Sequence, residues 1–84
     1  MTISPEEAIT LAYNVKQIRT QHRPSKTAMA KMLSISTDSL RKIENGHIPP
    51  RLVVLVPFHI ASIFDVTTAE LYSAPLGRPI KKIL

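Results

Sequence analysis

The sequence predicts an all-α domain of five helices, residues 1–73, followed by a short basic tail, residues 74–84. Three observations carry this expectation. Ser or Thr capping signals precede most of the apolar stretches. Apolar residues within those stretches recur three and four apart. Pro and Gly fall between the stretches, where helices stop. At 84 residues and 44% hydrophobic content, the chain is sized for one domain. Such a domain buries only roughly 60–65% of its unfolded surface, so its core is thin. It contains no Cys, which excludes a disulfide framework and zinc–thiolate sites.

The first helix opens at Ser4-Pro5-Glu6-Glu7. Ser4 is suited to cap, Pro5 to the first helical position, and Glu7 to close a capping box. Ala8, Leu11, Ala12, Val15 and Ile18 then form one apolar face, and Pro24 ends the helix ahead of itself. Ser25 is the cap for a second helix, Lys26 to Leu33, with Met29, Ala30 and Leu33 inward. Ser36 caps a third, Thr37 to Asn45, with Leu40 and Ile43 inward. Gly46 follows where a positive φ is wanted. Ile48-Pro49-Pro50 is non-helical. Leu52 to Val56 reads as an apolar connector, because Pro57 within a helix costs about 3 kcal/mol but little in a first turn. The fourth helix is therefore expected from Val56 or Pro57 to Phe64. Thr67-Thr68-Ala69-Glu70 repeats the capping box and opens a fifth helix through Tyr72.

Charge is distributed unevenly. Eleven Lys and Arg stand against six Asp and Glu, for a net charge of +5. From Ala8 to Thr37 there are Lys16, Arg19, Arg23, Lys26 and Lys31 and no acidic residue; Arg78, Lys81 and Lys82 form a second basic group. A basic surface concentrates polyanions, of which nucleic-acid backbones are the commonest, or it is a solvated face that keeps a small protein soluble. The acidic start and the lack of an apolar run behind it argue against a secretory signal. The longest apolar stretch, Leu52 to Phe64, is 13 residues, short of the roughly 20 that span a bilayer. The expectation is a cytoplasmic protein with no membrane association. His22, His47 and His59 lack the spacing of metal ligands, and no nucleophilic triad or paired carboxylates are evident. No metal, no cofactor and no enzymatic activity are expected.

Two short helices joined by about three residues make a helix-turn-helix plan, in which the second helix enters the DNA major groove. Ala30 suits the helix crossing and Ile35 the turn. Ser25 and Lys26, at a helix N-terminus, are candidates for a phosphate, and Ser25 is equally a simple cap.

The strings Ser25 to Leu33 and Ile35 to Gly46, with Ile60 to Val66, resemble the Cro/C1-type helix-turn-helix domain of phage repressors and Xre-like bacterial regulators. The resemblance runs from Val15 to Tyr72 and implies a lambda-repressor-like fold. It implies that Thr37, Asp38, Arg41 and Lys42 face the base edges and that Lys26 and Asn45 meet the DNA backbone. It also implies a structural ion pair between Arg19 and Glu44. Asp38 is an acceptor for cytosine N4, or a favourable charge in a first helical turn. Arg41 or Lys42 is a donor to guanine, or a phosphate contact.

Four features depart from the family pattern. Ser34 replaces the usual turn Gly, which makes a left-handed backbone there costlier. The connector to the fourth helix is longer and apolar. Gln and Arg, the strongest base-reading types, are sparse at the front of the third helix, where Thr37 and Asp38 stand. The basic tail has no counterpart. Leu52, Val53 and Val54 are either a dimer or partner surface or ordinary core. The function expected is a sequence-specific transcriptional regulator that binds double-stranded DNA of a pseudo-palindromic operator as a homodimer, nucleoid-associated when bound. The alternative is an antitoxin-type module whose main partner is a protein.

Overall fold

The computed structural model describes residues 3–23 and 25–83. Pro24, expected to end the first helix, lies outside them. Five helices follow in order: α1, Pro5–His22; α2, Lys26–Met32; α3, Thr37–Glu44; α4, Leu52–Ile63; and α5, Thr68–Ser73. The described residues form no β-strand, only an isolated antiparallel bridge between Phe64 and Lys82. None of their helices is long and apolar enough to cross a membrane.

Local chemistry starts four of the helices. Ser4 Oγ accepts from the Glu7 amide, and the Glu7 carboxylate accepts from the Ser4 amide. Thr67 and Glu70 repeat this reciprocal box at α5. Ser25 Oγ accepts from the Ala28 amide, and Ser36 Oγ from the Ser39 amide, both at 3.0 Å. Each cap satisfies an amide that has no partner within its helix.

α1 is the axis of the molecule, packed against α3 and α5. Its inward stripe of Leu11, Val15 and Ile18 joins Met29, Leu33, Leu40, Ile43, Leu52, Val56, Ile60, Phe64 and Leu71 in one core. One position on that stripe is polar. The buried Asn14 Nδ2 donates to the carbonyls of Leu71 at 2.9 Å and Ala74 at 3.1 Å. Its Oδ1 accepts from the Leu76 amide at 2.8 Å. A single amide thereby holds the end of α5 and the chain leaving it.

The segment of residues 74–83 then runs back over α1. Leu76 and Ile80 enter the core. The Gln21 side chain clamps the backbone at both Arg78 and Ile80, and the His22 ring bonds the Ile80 carbonyl. Amide-to-carbonyl bonds from Asp65 to Lys81 and from Ile83 to Ile63 fasten the segment to the end of α4. The basic residues of this segment thus ride on a fixed backbone, and Arg78 is paired with Glu70 at 2.9 Å.

The start of α4 corrects the sequence expectation. Leu52 to Val56 is helix, not connector, and Pro57 lies inside it. The inward positions Leu52, Val53, Val56, Pro57 and Ile60 have helical spacing. No side chain caps this helix; its first amides, of Leu52 and Val53, bond the carbonyls of Pro49 and Pro50. Pro57 has no amide hydrogen, so the carbonyl four residues earlier, of Val53, loses its helical partner. The Tyr72 hydroxyl donates to that carbonyl. The residue from α5 thus replaces the hydrogen bond that proline removes.

Two outcomes are expected. Asn14→Ala leaves three backbone groups unpartnered and lowers stability by about 3 kcal/mol, measurable by urea denaturation. Burial, and next the Glu7 carboxylate, push the Tyr72 hydroxyl above its ordinary pKa. Because the raised group is neutral when folded, its contribution is intact below the unfolded value and lost as pH rises through the folded one. Melting of wild type and Tyr72→Phe across about pH 8–11 checks this. The variant is less stable at neutral pH, and the gap narrows as the solution becomes alkaline.

Candidate nucleic-acid interface

α2 and α3 pack against each other, and the turn between them is built at the end of α2. The Ser34 amide bonds the Lys31 carbonyl and the Ile35 amide bonds that of Ala30. This is the double closure of a helix end, which needs its middle residue in left-handed backbone. Ser34 has φ 59°. Holding a β-carbon there costs about 1 kcal/mol, offset by Ile35, which packs against the core. Ala30 and Met29 are buried at the same end. The end of α3 is closed in the same way by Gly46, φ 87°, with amides of Gly46 and His47 bonding Ile43 and Lys42. Here glycine makes the left-handed turn without strain.

α3 has two unlike faces. Leu40 and Ile43 are fully buried. Thr37, Asp38, Arg41, Lys42 and Asn45 are all exposed and, at one, four, five and eight residues from Thr37, share the opposite side. Asp38 bonds both cations of that side, Arg41 Nη2 at 2.5 Å and Lys42 Nζ at 3.3 Å. The hydrogen bond from Arg41, and next that from Lys42, hold the Asp38 carboxyl below its usual pKa. Ser25 and Lys26 are exposed at the start of α2, with Ser25 capping it.

Arg19 and Glu44 meet across α1 and α3 in a two-pronged pair, Nε to Oε2 at 2.7 Å and Nη2 to Oε1 at 3.0 Å. Their side chains are 19% and 7% exposed. The hydrogen bond to Glu44 raises the Arg19 pKa further. The pair joins the last turn of α3 to α1 and so sets how the outer face of α3 is presented.

Leu52, Val53 and Val54 do not form one surface. Leu52 and Val53 are in the core, while Val54 is exposed together with Leu55 and Phe58, at 54%, 47% and 59%. The helical turn separates them: the outward positions are 54, 55 and 58 rather than 52 and 53. Beside them lies an open groove of about 380 Å³ between α4 and α5, lined by Val53, Val54, Pro57, Phe58, Thr68, Ala69 and Tyr72. Among the described residues, no group of three His, Asp or Glu side chains is arranged to hold a metal ion.

Asn14, Gln21 and Tyr72 escaped the sequence reading as positioning residues. Asn14 had a visible signal, a polar residue on the Leu11–Val15–Ile18 stripe. Compared with known proteins, the chain matches no family model, no curated protein and no solved structure.

Removal of one partner of the Arg19–Glu44 pair strands the other in a mostly buried site. Glu44→Ala is expected to cost about 2 kcal/mol, on the order of 10 °C in melting temperature. Thermal unfolding followed by circular dichroism measures it.

Proposed function

We propose that this chain is a sequence-specific DNA-binding transcriptional regulator with a lambda-repressor-like helix-turn-helix domain of the Cro/C1 type. The observation that carries the reading is the division of α3: a fully buried Leu40–Ile43 seam against an exposed polar side bearing Arg41 and Lys42. A helix so mounted is able to enter a major groove while its seam stays in the core. Thr37, Asp38, Arg41 and Lys42 are the base-reading residues. Ser25, Lys26 and Asn45 contact phosphates. The net charge of +5 supports attraction to a polyanion.

The regulator acts by occupancy rather than by catalysis, in the cytoplasm and on the nucleoid when bound. It binds as a homodimer, two recognition helices about 34 Å apart on a pseudo-palindrome. The exposed Val54, Leu55 and Phe58 of α4 are the surface for the second copy. The same patch favours a second reading, an antitoxin-type module that docks a protein there and binds DNA secondarily.

Selection of bound duplexes from a random pool tests the proposal. A pseudo-palindrome with half-sites about 10 base pairs apart supports it. Lys42→Ala then costs about 1–3 kcal/mol on the selected site and relaxes its sequence, whereas Lys26→Ala weakens all duplexes alike and lowers the salt slope by about one. Wild-type binding by both variants on every duplex overturns the assignment of α2 and α3.

A further inference from the structure

The outer side of α3 carries a carboxylate between its two cations. Asp38 uses one oxygen for Arg41 and the other for Lys42. All three side chains are more than half exposed, so these ion pairs are weak and open to exchange. What can replace Asp38 as their partner depends on hydrogen-bond chemistry. A phosphate has acceptors only. If it takes Arg41 or Lys42, it approaches Asp38 with like charge and leaves one carboxylate oxygen without its donor. The major-groove edge of every base pair has acceptors for a cation and also an exocyclic amine, cytosine N4 or adenine N6, that donates.

We propose that Asp38 is a specificity-determining residue that withholds Arg41 and Lys42 from phosphates and releases them only to base edges that donate a hydrogen bond in return. The inference rests on the DNA-binding reading above. It assigns Asp38 a role against indiscriminate backbone binding, separate from which base it selects. The trio leaves the exposed side of α3 with one net positive charge in place of two, which lowers the number of phosphates it neutralises.

The test is binding of purified wild type, Asp38→Asn, Asp38→Glu and Arg41→Gln to random-sequence duplexes and to the best selected duplex, titrated over salt. Asparagine keeps a polar side chain and removes the charge. Asp38→Asn is expected to bind random duplexes several-fold more tightly, with the logarithmic salt slope steeper by about one. Its ratio of selected to random affinity falls by roughly tenfold, the ratio of one base discrimination. Asp38→Glu keeps the charge, so its salt slope on random duplexes is shallower than that of Asp38→Asn, which separates charge from any effect on α3 folding. Unchanged or weaker random binding by Asp38→Asn, with Arg41→Gln weakened, overturns the inference and leaves the DNA reading standing. Absence of duplex binding by wild type overturns the DNA reading itself.

Discussion

The buried amide of Asn14 is the constraint on which the architecture rests. A polar group in a core this small is stable only when its donors and its acceptor oxygen have partners. Asn14 makes three, to the backbone of Leu71, Ala74 and Leu76. Meeting that demand forces the chain after α5 to turn back along α1, which brings Leu76 and Ile80 into the core. A thin helical core thereby gains two large side chains from a segment whose Pro and Gly content forbids a helix of its own.

α1 serves two ends. Toward α5 it carries Asn14; toward α3 it carries Arg19. The pair of Arg19 with Glu44 fixes the last turn of α3, and the left-handed turns at Ser34 and Gly46 fix where α3 begins and ends relative to α2. The exposed side chains of α3 are mobile in principle, but the backbone that bears them is tied at both ends. A surface of fixed direction with exchangeable ion pairs is suited to discriminating among partners that differ in hydrogen-bond pattern.

Much of this was legible from residue order. The caps at Ser4, Ser25, Ser36 and Thr67 sit where their short-range hydrogen bonds require. The buried seams of α1, α2 and α3 follow the helical period. A family resemblance suggested that Arg19 and Glu44 would meet, and the structure brings them together. The start of α4 is not legible in residue order, because the cost of Pro57 taken within the helix alone excludes it. Tyr72, nineteen residues away, offsets that cost by bonding the freed Val53 carbonyl. Without that helix Leu52, Val53 and Val54 read as one stretch, whereas the helical turn sends the first two inward and the third to solvent.

The division follows the range of the forces. Capping, helical period and helix-end chirality act within about one turn, so residues three to five apart suffice to dictate them, and α1, α2, α3 and α5 were written in the sequence. The fate of Pro57, the course of residues 74–83 and the outward patch of α4 depend on hydrogen bonds between residues far apart in the chain. Those partners become neighbours only when α5 packs on α1 and α4. Backbone groups carry no residue-specific label, so the acceptors of Asn14 and Tyr72 could be chosen only by folding.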